Sequence, residues 1–327
     1  MHTTAFVREN APVATWCGAD DTTRQLLSTW PYLPYLHCPG VSFESRVEYV
    51  LGGLTAARQR GAATLAASAD SQLQALAQWQ LLPWDSEMLG LRAARISALY
   101  RRPGQAAAAC QQRILNHLLE EAQGQGVRYL LTRIPAGDVR TIQQVEGLGF
   151  RMVDGIVTFG AALTSVTLEG AENVRPAVPG DIPALRDIAG TSFLIDRFHS
   201  DPAISQEKAD EVQRVWIENS CRGMADAVLI AEVDGKPAGF TTLKIDAMAE
   251  RKLGIKIGII ELVATSPDYR RRGLGRNLCL ASLHWFRQAG CDWAEVGTQI
   301  GNIQAARLYQ SAGFFSTATS LTLRRLF

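Results

Sequence analysis

Displaced against itself by 164 residues, about half its length of 327, the chain superposes its own turn residues. Gly126, Gly137, Gly149 and Phe150 fall on Gly290, Gly301, Gly313 and Phe314 without a gap. In the same register Asp70 falls on Asp234, Leu89-Gly90 on Leu253-Gly254, Ile96 on Ile260 and Pro103 on Pro267. Few other positions are identical. Turn and breaker positions are where a shared backbone most narrows residue choice, so one register serving both ends predicts two copies of one fold. The polar stretch around residues 164 to 174 is the expected boundary, giving domains 1–165 and 166–327.

Composition narrows the function. The chain carries 33 Lys plus Arg against 32 Asp plus Glu and is 47% apolar, enough for two ordinary cores and too balanced to attract nucleic acid or an anionic membrane in bulk. No apolar run approaches the roughly 18 residues that span a bilayer, and Met1 to Glu9 lacks an apolar segment behind a basic head, so a cytoplasmic location is expected. The six cysteines are scattered without a C-x-x-C pair, and neither H-E-x-x-H nor G-x-S-x-G occurs. A disulfide framework, a zinc site and an α/β-hydrolase elbow therefore lose support, and no metal is expected.

The second copy reads as helix, helix, three strands, helix, strand, helix, strand. Asp181 caps a first helix with Pro183 in its first turn, and a second helix lies near Gln206 to Asn219. Ala227 to Val233 and Gly239 to Ile245 form a hairpin about Asp234-Gly235, and Ile257 to Thr265 is a long apolar strand. Helices at Leu274 to Ala289 and Ile303 to Ala312 alternate with strands at Trp293 to Thr298 and Thr317 to Leu326.

Between strand and helix sits Arg270-Arg271-Arg272-Gly273-Leu274-Gly275-Arg276. Consecutive backbone N–H groups, a helix N-terminus and arginines converge there, which suits a phosphate or diphosphate. By itself the string also fits a solvated basic helix start. Further on comes Asn302-Ile303-Gln304-Ala305-Ala306-Arg307-Leu308-Tyr309, ending in Gly313-Phe314.

Pro267, the R-x-x-G-x-G loop and the N-x-x-A-x-x-x-Y-x-x-x-G-F helix, in this order, resemble the GNAT superfamily of N-acetyltransferases. The resemblance implies tandem α/β (α+β) domains, each a mixed, mostly antiparallel sheet flanked by helices, and acetyl-CoA as co-substrate. It places the pyrophosphate on Arg271, Arg272, Gly273, Leu274, Gly275 and Arg276, and the pantetheine arm along Val263, Ala264 and Thr265. It sets Asn302 near that arm and Tyr309 near the thioester sulfur. A phenol with a pKa near 10 stays protonated at neutral pH and can hand its proton to a departing thiolate. Packing against Gly313-Phe314 is the plainer role for Tyr309.

Glu261 is the one ionisable residue from Ile257 to Thr265; two positions before Val263, it is expected on the same strand face, where it would accept the amine's proton. A solvent-facing or ion-paired glutamate fits as well, and Glu295 is a second candidate. Asp181 to Arg186, Arg197 to Pro202, Trp216 to Asn219 and Thr298 to Asn302 resemble the dTDP-fucosamine acetyltransferase family more closely, as do Leu82 to Gly90 and Gly147 to Phe150. That resemblance implies a nucleotide-linked amino sugar as acceptor, with Arg197 and His199 on its diphosphate and Trp216 walling the pocket. Surface residues on a loop and a core tryptophan are the alternative. Residues 1 to 78 depart from that family and leave the acceptor open.

At the 164-residue offset Arg270, Gly273 and Gly275 meet Ala106, Ala109 and Gln111, while Asn302 and Tyr309 meet Asp138 and Val145. The first domain is therefore expected to be catalytically silent, with Arg101 to Gly104 a remnant loop. Another amine as acceptor (a protein N-terminus, an amino acid, an aminoglycoside) and a non-catalytic CoA-binding protein are the competing readings; a homodimer is compatible with all three.

Overall fold

The computed structural model describes residues 13–164 and 173–327; the start of the chain and residues 165–172 of the expected boundary lie outside the described residues. The elements of the first half are β1 (Ala14–Thr15), α1 (Asp21–Ser28), α2 (Phe43–Gln59), β2 (Ala63–Ala69), β3 (Gln72–Leu81), α3 (Pro83–Leu89), β4 (Ala93–Arg101), α4 (Gln105–Gly124), β5 (Tyr129–Pro135), α5 (Val139–Gly147) and β6 (Arg151–Ala162). The second half runs β7 (Val174–Pro176), α6 (Ile182–Ser192), α7 (Gln206–Asn219), β8 (Ala227–Val233), β9 (Lys236–Ile245), α8 (Ala247–Leu253), β10 (Ile257–Thr265), α9 (Leu274–Gln288), β11 (Trp293–Gln299), α10 (Ile303–Ser311) and β12 (Phe315–Leu326). The short helix α8, the strand β7 and a π-turn at Ser220–Met224 lack the length or period that a sequence pattern needs to register.

The repeat is written into the backbone. Asp70-Ser71 and Asp234-Gly235 turn their hairpins with positive φ at both residues, 51° and 62° in one, 51° and 72° in the other. Gly90 (φ 68°) and Gly254 (φ 71°) end α3 and α8 in the left-handed conformation. Asp138 and Asn302 accept from the N–H three residues on to cap α5 and α10. Asp181 departs from expectation: it precedes α6, but its carboxylate binds Arg175 at 2.8 and 3.0 Å and the Val178 N–H at 2.8 Å instead of capping the helix.

The chain forms two compact units, and neither is a contiguous half. One comprises the described residues up to Pro34, Ser42–Met152 and Ser320–Phe327; the other comprises Tyr35–Val41 and the described part of Val153–Thr319. The expected division at 165/166 is thereby corrected, and the reason is a strand exchange. β6 pairs with β11 from Trp293↔Ala162 to Gln299↔Ile156, and β12 pairs with β5 from Ser320↔Pro135 to Leu326↔Tyr129. Each half thus supplies the closing strand of the other half's sheet.

In the first unit the order is β1-β2-β3-β4-β5-β12, antiparallel except for β4/β5. Ile114, Leu118, Ile142 and Val145 of α4 and α5 pack on one face, and Leu26, Leu27, Val50 and Leu54 of α1 and α2 on the other. In the second unit the order is β6-β11-β10-β9-β8-β7, antiparallel except for β10/β11. Leu283 and Phe286 of α9 and Tyr309 of α10 cover one face; Leu185, Ile188 and Ile217 of α6 and α7 cover part of the other. No helix among the described residues is long and apolar enough to cross a membrane.

Candidate active site

The second unit opens where β10 leaves β11. Their parallel pairing runs from Ile257↔Trp293 to Ile260↔Val296 and stops there, although both strands continue. On its other edge β10 pairs with β9 throughout, with a register shift that leaves Glu261 between Ile260↔Leu243 and Leu262↔Thr242. This is a β-bulge, and the displaced Leu262 N–H donates to the Thr242 hydroxyl at 3.1 Å instead of to a ladder carbonyl.

The bulge changes which face each side chain takes. Ile260 packs with Leu283 and Phe286 of α9. Val263 lies opposite Thr241, whose hydroxyl accepts from Ser282 of α9 at 3.3 Å, so Val263 also faces α9. Leu262 and Ala264 pack on the opposite side, with Leu185 and Ile188 of α6. Glu261 therefore lies on the α6 face, away from Val263, which corrects the expectation from simple alternation. It is exposed, and burial of its surroundings pushes its carboxyl up, while Lys244 pulls it down and Asp226 adds to the rise.

Beyond β10 the chain turns through Pro267–Tyr269 into the basic loop. Arg271 adopts a left-handed φ of 64°, and Gly273, at φ 79°, is the N-cap of α9. Glycine has no side chain to cap the helix, so the first N–H groups of α9 are free to meet an anion beside exposed Arg271, Arg272 and Arg276. Gly275 also has a packing contact. A Cβ there would lie 3.2 Å from Leu308 Cδ2, so the bare backbone lets Leu308 of α10 sit close on the start of α9. Arg272, Leu274 and Asn277 border a cavity of about 510 Å³ with the β8–β9 turn.

Asn302 spends its side-chain oxygen on the Ala305 N–H at 3.1 Å as the cap of α10. Tyr309, two turns on, is 5% exposed and packs between Phe159 (centroids 5.7 Å) and Phe314 (6.1 Å). Burial pushes its phenol far above the ordinary value, with Cys279 of α9 adding to the rise. The hydroxyl thus keeps its proton at neutral pH.

The acceptor residues fare differently. The His199 side chain is 1% exposed and sits between two carboxylates, Nδ1 to Asp196 at 2.8 Å and Nε2 to Asp210 at 3.0 Å. Burial alone would lower its pKa, but the bonds to Asp196 and Asp210 outweigh that and raise it. With both ring nitrogens committed, His199 has none left for a diphosphate, and that expectation is corrected: it ties the α6–α7 loop to α7. Arg197 is half-buried, its guanidinium 3.9 Å above the Phe198 ring, and Trp216 packs on the α6–α7 core.

A histidine with a raised folded pKa stabilises fully below its unfolded value of about 6.5 and loses that contribution as pH climbs through the folded value. His199→Ala should cost on the order of 3 kcal/mol at pH 6, from two stranded carboxylates, and less at pH 9. Urea melts at both pH values check this; an equal loss would mean the ring is not held as an imidazolium.

The first unit keeps the frame and fills it. β4 pairs with β5 from Ala93↔Tyr129 to Ile96↔Thr132 and then departs, and Ser97, at the position of Glu261, is the bulged residue. Arg101, at the position of Thr265, reaches Asp138, at the position of Asn302, at 2.8 Å, with the two side chains 12% and 3% exposed. Gln111 stands where the second unit has Gly275 and accepts from Thr141 at 3.2 Å. Arg101 is therefore a strut across the opening, not a remnant loop.

Residues 184–314 match the acetyltransferase (GNAT) family. The chain is 27% identical over 195 residues to dTDP-fucosamine acetyltransferase of Escherichia coli O6:H1, covering 59% of this chain and 80% of that protein. It is 26% identical over 304 residues to mycothiol acetyltransferase of Rhodococcus opacus, covering 74% and 97%. Among solved structures, a tandem GNAT protein from the clavulanic acid biosynthesis pathway aligns with a TM-score of 0.56 at 12% identity, over 97% of this chain and 98% of that one, which shows the shared fold. The part of the chain that matches the acetyltransferase (GNAT) family, residues 184–314, is the part that carries the open strand pair, the bare helix start and the buried tyrosine.

Proposed function

We propose that this protein transfers the acetyl group of acetyl-CoA to the primary amine of a nucleotide-linked amino sugar, by direct attack with both substrates bound. The observation that carries the reading is the parting of β10 from β11 after Ile260, next to the uncapped start of α9. A linear thioester substrate fits such a frame. Its diphosphate would sit on the N–H groups of Leu274, Gly275 and Arg276 with Arg271 and Arg272 beside it, and its arm along the unpaired edge of Val263, Ala264 and Thr265. The substrate brings an activated acetyl group; the protein orients it, meets the developing oxyanion with a backbone N–H near Val263, and protonates the leaving sulfur from Tyr309.

The amino sugar rests on the similarity to dTDP-fucosamine acetyltransferase; of the expected acceptor residues, Arg197, its guanidinium over the Phe198 ring on the α6–α7 loop, carries the charge that suits a nucleotide diphosphate. A second reading, a smaller cationic amine, is favoured by Glu261, Glu295, Asp226 and Asp246 outnumbering Lys244 around the sheet face opposite α9. Thiol release from acetyl-CoA, with dTDP-4-amino-4,6-dideoxygalactose set against a panel of simple amines, separates the two. Calorimetry should show one acetyl-CoA per chain, because Arg101 and Gln111 fill the first unit. Tight CoA binding with no thiol release for any acceptor would point to a binding protein.

A further inference from the structure

Glu295 stands on the last rungs of β11 before the strands part: it lies opposite Ile259 of β10, and the pairing ends one residue later at Val296. Its neighbours Ala294 and Val296 belong to the α9 face, so Glu295 points to the other side, the side of Glu261. On β9 the residue opposite Ile259 is Lys244, which puts Lys244 and Glu295 on one rung with Ile259 between them. The carboxyl of Glu295 is in no ion pair among the described residues; its hydrogen bond comes from Trp293 Nε1, a long one at 3.4 Å. Next to it electrostatically is Asp246, the cap of α8, which accepts from the N–H groups of Met248 and Ala249 at 2.9 and 3.0 Å. Asp246 also receives the hydroxyl of Tyr35 at 3.2 Å. Tyr35 adopts a left-handed φ of 59°, a conformation rare for a bulky residue, at the head of Tyr35–Val41, the segment of the N-terminal half that belongs to the second unit.

Building on the acetyl-transfer reading, we propose that Glu295 is the catalytic residue that takes the proton from the acceptor's ammonium, with Asp246 and Tyr35 as positioning residues that act through it. The ammonium gives one proton to the Glu295 carboxylate, and the freed lone pair forms the C–N bond as the thioester C–S bond breaks. The sulfur takes the Tyr309 proton, the second nitrogen proton restores Tyr309, and Glu295 discharges its proton to solvent. A base for this step works best when its pKa lies near the operating pH. Burial, with Asp246 adding to it, pushes the Glu295 carboxyl up to about 7 against the Trp293 bond; burial raises the Glu261 carboxyl as well, but the nearby Lys244 ammonium offsets part of that rise and favours its charged form. Asp246 is the charged group that bears on Glu295; the other charged residues on the elements beside it are Lys244 on β9, Glu261 on β10 and Glu250, Arg251 and Lys252 on α8, while on β6 its partner is Gly160, with Asp154 six residues away in sequence.

The test compares kcat/KM against pH for the wild type, Glu295→Gln and Asp246→Asn, with a carbon-13 carboxyl NMR titration of Glu295 in the CoA-free protein. The wild-type rate should climb with pH through a midpoint near 7 that the NMR titration reproduces. Asp246→Asn keeps the helix cap but removes a negative charge, so both midpoints should move to lower pH. Glu295→Gln should lose about 100-fold in kcat/KM at pH 7 together with the acid limb. A Glu295→Gln rate within twofold of wild type, or a limb unmoved by Asp246→Asn, overturns the assignment. A Glu295 carboxyl titrating near pH 4 overturns it whatever the turnover, whereas a wild type that acetylates no amine counts against the acetyl-transfer reading itself.

Discussion

Tyr309→Phe should lower kcat on the order of 100-fold or more while leaving KM for acetyl-CoA and the melting temperature nearly unchanged. The substitution removes one oxygen and keeps the ring that packs between Phe159 and Phe314, so the core around α9 and α10 holds. A hydroxyl to hydrogen change at such a site costs about 1 kcal/mol of stability at most. The loss belongs to kcat because the proton is needed only as C–S cleavage places charge on sulfur. The phenol's pKa is raised by burial and by Cys279, so no basic limb from Tyr309 should enter the wild-type profile below about pH 10. Stopped-flow thiol release and thermal melts of the two proteins decide it. A kcat within threefold of wild type would reduce Tyr309 to a packing residue.

A chain cut at residue 166, where the sequence repeat suggests a boundary, should not fold into a cooperative monomer. It lacks β6, which pairs with β11 along seven residues from Trp293 to Gln299, and it loses Phe159, Ala161 and Leu163, each at most 2% exposed. Burying the phenylalanine and the leucine alone stabilises by about 5 kcal/mol, much of the typical 5 to 15 kcal/mol of a domain. The cut chain also carries Ser320–Leu326 without its partner β5, and β11 becomes a bare edge open to aggregation. Near-UV circular dichroism and a urea transition, compared with a chain starting at residue 150, test this. A sharp transition in the shorter chain would show that the exchanged strand is dispensable.

Local order in the second half was legible because strands β8 and β10 carry their signals within themselves: an Asp-Gly turn after one, a long apolar run along the other. The repeat was legible because glycines at positive φ tolerate few substitutes. What escaped depends on partners. The apolar pattern of β6 suits β11 as well as β5, so nothing in the sequence announces the exchange. The face of Glu261 depends on a cross-strand register shift that one strand's sequence does not contain. His199 reads as a loop cation until Asp210, eleven residues away, is brought to its ring. Tyr35 lies so far along the chain from Asp246 that no spacing connects them.

The bulge at Ser97 mirrors the bulge at Glu261, and the two parallel strand pairs part at the same rung. A distortion usually taken as the mark of a working centre therefore persists in a unit where an arginine strut spans the gap. The shape of the sheet therefore does not by itself mark an open site. A search for active members of this architecture is better guided by the three positions held here by Thr265, Gly275 and Asn302, and in the closed unit by Arg101, Gln111 and Asp138, than by the shape of the sheet.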